Sequence, residues 1–168
     1  GHAGTLDPMA TGVLPIFFGR ATRAVEYAQD QGKQYIAQFV TGYRTNTLDI
    51  TGNIIETFAQ KTTAEDIRGV LPRFTGRILQ TPPMYSAKKV DGRKLYELAR
   101  KGETVEIKPS EIVIAELVLL SCDEANNRYT IRVSCSKGTY IRTLCDEIGK
   151  ALGCGAVMSE LRRTRHGL

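Results

Sequence analysis

The 168-residue sequence predicts a single α+β domain. Two patterns carry that reading. Tyr129, Ile131, Val133 and Cys135 alternate with Thr130, Arg132 and Ser134, the period of a half-buried strand. A few residues later the period changes: Ile141, Leu144, Cys145, Ile148 and Leu152 share one stripe of a helix expected over 140–152. Strand-like and helix-like segments follow one another in mixed order along the chain. No internal repeat, low-complexity tract or linker separates them.

The first fifteen residues are rich in glycine and proline and read mainly as loop and turns. A helix is expected over 20–29, with Ala21, Ala24, Val25 and Ala28 on one stripe. Residues 33–41 alternate partly and hold Tyr35, Ile36, Phe39 and Val40, so they read as a strand. The polar stretch 42–52 reads as a loop, and 53–58 as the strand that pairs back with 33–41. Thr62 and Glu65 fit a capping box, each side chain satisfying a backbone donor of the other. The helix they open runs to about Leu71, because Pro72 cannot continue it. A short helix over 93–101 turns Leu95, Leu98 and Ala99 inward and ends at Gly102. Residues 112–120 are nearly all apolar and predict a strand buried on both faces. A last strand is expected over 157–164.

The composition is that of an ordinary globular protein, 42% hydrophobic and 24% charged. Lysine and arginine total 23 against 18 acidic residues, giving net +5 and a pI near 9.1. That excess suits a nucleic-acid partner and equally suits a basic, solvated surface. No apolar run is long enough to cross a bilayer as a helix, and no signal-peptide pattern opens the chain. Cys122, Cys135, Cys145 and Cys154 show no C-x-x-C spacing, and His2 and His166 stand at opposite ends, which argues against a zinc site. Cys135 and Cys145 fall on apolar faces, so free thiols in a reducing, cytoplasmic setting are expected.

Three clusters can carry chemistry. In Gly4-Thr5-Leu6-Asp7-Pro8-Met9-Ala10-Thr11-Gly12, a lone carboxylate precedes a proline that restricts it to extended geometry. Such an aspartate serves as nucleophile or general base, or simply organises a turn. In Ser134-Cys135-Ser136-Lys137-Gly138-Thr139-Tyr140-Ile141-Arg142, a strand passes through a glycine turn into a helix. Arg142 in that first turn can meet a carboxylate through two parallel hydrogen bonds, or can be an ordinary surface arginine. The third cluster holds Tyr35, Gly42, Thr45, Thr47, Asp49 and Gly52. Tyr35 offers a flat face for stacking a base and a phenol for proton chemistry, although tyrosine in a strand commonly just packs.

Taken together, these clusters resemble the TruB family of pseudouridine synthases. The stretch Gly1-His2-Ala3-Gly4-Thr5-Leu6-Asp7-Pro8-Met9-Ala10-Thr11-Gly12-Val13-Leu14 is similar to the family's catalytic loop. The Tyr35 segment, Met84-Tyr85-Ser86-Ala87-Lys88-Lys89, the Cys135 to Arg142 run and Leu161-Arg162-Arg163 follow in the family's order. The resemblance implies the pseudouridine synthase fold, a mixed, largely antiparallel sheet flanked by helices. It implies Asp7 as catalytic aspartate, Tyr35 as the tyrosine stacked on the target base, and Arg142 as the carboxylate's partner. Leu161 would line the uracil pocket, and His2 would help to hold the displaced nucleotide.

The implied reaction isomerises uridine 55 in the T-loop of tRNA (tRNA numbering) without cofactor or metal, in a monomer that meets the T-arm and no membrane. Residues 85–105 resemble an RNA-gripping insertion. Lys88, Lys89, Arg93, Lys94, Arg100 and Lys101 there face Asp91, Glu97 and Glu103, six cations against three carboxylates, and Lys137 joins the expected RNA contacts. The resemblance spans 1–168 as one catalytic domain, with the family's upstream strand and C-terminal RNA-binding domain expected to be lacking. Two rival readings remain at this point: an RNA-binding module without catalysis, and a hydrolase releasing free base. The second requires another catalytic acid beside Asp7, for which Asp49 is the nearest motif residue.

Overall fold

A computed structural model describes residues 1–167; Leu168, the last residue of the expected domain, lies outside the described residues. In chain order the elements are β1 (Thr11–Gly12), a 3-10 turn (Gly19–Ala24), α1 (Val25–Gln29), β2 (Lys33–Thr41), β3 (Tyr43–Thr45) and β4 (Ile54–Thr57). Then come α2 (Ala64–Val70), a second 3-10 turn (Leu71–Phe74), β5 (Gly76–Gln80), β6 (Lys89–Val90), β7 (Arg93–Lys94) and α3 (Leu95–Arg100). The chain closes with β8 (Ser110–Asp123), β9 (Arg128–Cys135), α4 (Ile141–Leu152) and β10 (Ala156–His166).

Six strands form one sheet in the order β1-β10-β2-β9-β8-β5. Every pairing in it is antiparallel except β1 with β10. The alternation read at 129–135 is present, with Tyr129, Ile131, Val133 and Cys135 buried. These meet Tyr35, Ala37 and Phe39 of β2 and Met158 and Leu161 of β10 on one face of the sheet. Helix α4 lays its stripe of Ile141, Leu144, Cys145 and Ile148 on that face, beside Ile67 and Val70 of α2. Phe39 and Tyr129 stack at the centre, with ring centroids 5.6 Å apart. Removal of this apolar surface from water is the main force holding the layers together.

Several elements differ from the expectation, each for a local reason. Strand β4 does not return to β2. Both edges of β2 are occupied, by β9 and β10, and β4 instead pairs with β3 in a separate ribbon drawn from the segment expected to be loop. The apolar run 112–120 is not buried on both faces: Ile112 and Ile114 are covered, whereas Val118 and Leu120 are 36% and 42% exposed. The core layer covers one face of β8, where Leu117 and Leu119 also pack against it, and apolarity alone does not say how many faces are covered. The expected helix over 20–29 divides into a 3-10 turn and α1, with Ala21 and Ala24 exposed. Arg93 and Lys94 are drawn into a hairpin with Lys89 and Val90, so α3 begins only at Leu95. Strand β5, a short edge partner of β8, had no recognised signal.

The capping box lies one residue later than expected. The Thr63 hydroxyl accepts from the Asp66 N–H at 3.2 Å, and the Thr63 N–H donates to Asp66 Oδ2 at 2.9 Å. Thr62 is buried, its hydroxyl 2.7 Å from that of Thr41 and 2.9 Å from that of Tyr129. The neighbouring threonines thus divide the work, one tying β2 to β9 and the other starting α2. Thr63→Ala is expected to cost ~1 kcal/mol and lower the melting temperature by roughly 3 °C, read by thermal denaturation.

Candidate active site

Asp7 lies on the loop that leads into β1, and the Ala10 N–H closes a turn onto its carbonyl at 2.8 Å. Its carboxylate accepts a forked pair of bonds from Arg142: Nε to Oδ2 at 2.7 Å and Nη2 to Oδ1 at 3.2 Å. The arginine side chain is 5% exposed and the aspartate side chain 28%, so the anion faces open space from a buried clamp. Two fixed, charge-assisted bonds orient the carboxylate.

Arg142 is itself held from three sides. Its Nη1 donates to Thr47 O at 3.2 Å and its Nη2 to Tyr85 O at 2.7 Å, so it joins the Asp7 loop to two other segments. The start of α4 is fixed by Gln80, whose side-chain amide accepts from Tyr140 N at 2.7 Å and donates to Tyr140 O at 3.1 Å. The turn carrying Thr47 is built on Asp49, whose Oδ1 accepts from Thr47 Oγ1, Thr51 N and Thr51 Oγ1 at 2.8, 3.0 and 2.6 Å. Asp49 is therefore a structural acid. One turn along α4 from Arg142, the buried Asp146 takes Arg44 of the β3–β4 ribbon at 2.9 Å and fastens the ribbon to the helix.

Asp7, Tyr35, Arg142 and Leu161 line one cleft of about 670 Å³, together with Lys88 and Lys137. That is the size of a pocket for a nucleoside-scale ligand. Tyr35 stands directly across from Arg163 of β10, and Leu161 across from Ala37. Burial raises the Tyr35 phenol above its ordinary value, and the neighbouring Arg163 guanidinium opposes that rise. Lys88 donates to Ser110 Oγ at 3.0 Å, and Lys137 pairs with Asp30 at 2.6 Å.

The remaining expected contacts are not in this lining. His2 is exposed and bridges Ile16 through its backbone, Lys89 and Arg93 are exposed on the β6–β7 hairpin, and Lys94 lies over the Tyr96 ring. Two basic cleft residues carry no assigned role in the sequence reading: Lys33, and Arg163, which appears there only within Leu161-Arg162-Arg163. Period-two counting from Leu161 places Arg163 on its inward face, which is the signal that could have found it. Among the described residues no group of three or more His, Cys, Asp or Glu is placed to hold a metal ion.

Comparison with known proteins fits this geometry. The family pattern described as TruB family pseudouridylate synthase (N terminal domain) matches residues 1–141. That described as tRNA pseudouridylate synthase B C-terminal domain matches 142–168. The two matches meet between Ile141 and Arg142, inside the first turn of α4. The tRNA pseudouridine synthase B of Oceanobacillus iheyensis is 54% identical over 169 residues, covering 99% of this chain and 56% of that protein. Among solved structures, a chain of a Cbf5-Nop10-Gar1 complex overlays with a TM-score of 0.73 at 32% identity, over 98% of this chain and 39% of that one. An H/ACA RNP bound to a substrate RNA containing 2′-deoxyuridine follows, at 0.67 and 30%, over 99% of this chain and 38% of that one. The sheet and its covering helices are thus the pseudouridine synthase fold. The chain belongs to the TruB family. It spans about half the length of the curated relatives it matches.

Proposed function

We propose that this chain is the catalytic domain of a tRNA pseudouridine synthase that converts uridine 55 of the T-loop to pseudouridine. The forked Asp7–Arg142 pair, in the cleft that Tyr35 and Leu161 also line, is the observation that carries this reading. The enzyme must break the bond from C1′ to N1, turn the uracil and rejoin it through C5. A stacked nucleotide cannot be handled that way, so it is flipped into the cleft. Asp7, oriented by the two bonds from Arg142, starts cleavage by attacking the sugar or by removing a ribose proton. Tyr35 and Leu161 keep the freed ring between an aromatic face and an apolar wall. The raised Tyr35 phenol stays protonated at neutral pH and serves the proton exchange at C5 through its hydroxyl. His2 steadies the displaced nucleotide. The chemistry takes no cofactor and no metal, and the enzyme works as a cytoplasmic monomer.

The test is tritium release from a tRNA transcript carrying 5-tritiated uridine, because forming a bond at C5 expels its hydrogen. Release in proportion to pseudouridine supports the reading. Binding of the transcript without release would leave an RNA-binding module in its place, and free uracil would mark a hydrolase.

Residues 85–105 are the RNA-gripping segment in this proposal, with Lys88, Lys89, Arg93 and Lys94 on phosphates and Lys137 beside the cleft. Each phosphate contact releases counterions, so Lys89→Ala should weaken tRNA binding and reduce the slope of log K against log salt by about 0.7–0.9. A titration series across salt concentrations measures this, and an unchanged slope removes Lys89 from the interface.

A further inference from the structure

The charge balance of the cleft is unexplained by the Asp7–Arg142 pair. Arg163 is 1% exposed and Lys33 8%, and both line the cleft. Among the described residues neither has a carboxylate within 4.0 Å, whereas Asp7 is matched by Arg142 and Asp30 by Lys137. Arg163 gives Nε to Val13 O at 2.8 Å and Nη2 to Gly4 O at 2.7 Å, pinning both ends of the Asp7 loop. Its Nη1 lies beside Gly4, and Tyr35 stands directly across from it in the sheet. Lys33 Nζ donates to Gln29 O and Gln31 O at 3.0 and 3.1 Å. Neutral donors could fasten these carbonyls. Burying two cations without acids costs stability, and burial weakens the Lys33 ammonium toward its neutral form.

We propose that Arg163, supported by Lys33, is a further catalytic residue that stabilises uracil as an anion when the C1′–N1 bond breaks. This rests on the synthase reading. In the cleavage step the C1′–N1 electron pair departs with N1 and spreads onto O2 and O4. This holds whether Asp7 bonds to C1′ or takes a ribose proton. The base is then an anion in the cleft, beside two cations already fixed in place. C5 then bonds to C1′ as the bond from Asp7 to C1′ breaks, or, in the other route, as the ribose takes its proton back from Asp7. C5 gives up its proton to solvent, N1 takes one up, and the product base is neutral again. The cations thus favour the charge that exists only during the reaction, the form of binding that accelerates a step.

The test compares single-turnover rates on T-arm RNA with uridine or 4-thiouridine at the target position. The thio base is the stronger acid and needs less help to leave, and it keeps its C5 hydrogen. Arg163→Gln is expected to slow the uridine substrate by about 10²–10³-fold, the scale of losing one fixed anion stabiliser. RNA affinity should change little, and the thio substrate should suffer at least ten-fold less. Arg163→Lys, which keeps charge without the fork, should retain more rate than Arg163→Gln. Equal deficits on the two substrates would reduce Arg163 to a loop clamp and overturn the proposal, as would a parent enzyme unable to use the thio substrate. If Arg163→Gln does not fold, Lys33→Gln leaves the loop clamp in place and must show the same preference for the better leaving group. A parent that releases no tritium from the uridine substrate sinks the synthase reading itself.

Discussion

Asp7→Asn is expected to abolish tritium release, by a factor on the order of 10⁴ or more, while tRNA binding stays near that of the parent. The scale is that of removing a nucleophile or base that works as part of a unit. Asparagine fills the same volume, so the loop from Gly4 to Gly12 keeps its shape. What changes is charge. Arg142 retains Thr47 O and Tyr85 O, but one arm of its fork would meet an amide NH₂ where a carboxylate oxygen accepted. The aspartate side chain is 28% exposed, so solvent softens the loss. The stability cost should be about 1–2 kcal/mol, below that of breaking a fully buried pair. A melting temperature lower by roughly 3–6 °C, with tRNA affinity within a few-fold, is therefore the expected background. Release above a hundredth of the parent rate would show that Asp7 only positions other groups, and would return the site to the turn-organising alternative.

Much of the architecture follows from patterns that local sequence can carry. Helix α4 was legible because a long stripe at helical spacing admits no other period, and β9 because its alternation has no exception. Pairing was less accessible. Residues 53–58 have the composition of a strand, yet their partner depended on β2 already having both edges taken, a fact that exists only in the assembled sheet. The capping box failed by one position because two adjacent threonines each had an acid three residues on. Burial of Thr62 against Tyr129 decided between them. The site shows the same division. Asp7 and Arg142 stand 135 residues apart, and no spacing argument joins them; the family's order of motifs suggested the meeting, and the geometry of α4 against the Asp7 loop brings it about. Arg163 stands in a family motif, but an arginine on a strand is ordinarily turned to water, so sequence alone assigns it no inward role. Here carbonyls at both ends of a distant loop draw it inside.

Two glycines should respond to the same substitution with opposite sign. A Cβ at Gly149 of α4 would lie 2.2 Å from Ala156 N and 2.4 Å from Gly155 C, where the helix folds directly back into β10. Those are backbone atoms, with no rotamer to relieve the overlap. The Gly149 carbonyl also accepts from Cys154 N and Gly155 N at 3.2 and 3.1 Å, so the turn cannot shift without losing bonds. Alanine gains about 1 kcal/mol in helix propensity, and the clash outweighs it. Gly149→Ala should be destabilised by about 2–3 kcal/mol net, lowering the melting temperature by roughly 4–12 °C. At Gly69 of α2 an added Cβ meets nothing within 4 Å, so Gly69→Ala should be neutral or more stable by up to ~1 kcal/mol. The consequence extends to the site, because α4 carries Arg142 at its other end. Pushing the helix off β10 moves the guanidinium relative to Asp7, and a displacement near 1 Å can cost on the order of 10²-fold in rate. Thermal melts and tritium release on both variants separate the effects. Gly149→Ala should lose activity at temperatures where it is still folded, whereas Gly69→Ala should keep the parent rate. Equal behaviour of the two would mean that the contact between α4 and β10 is looser than its geometry implies.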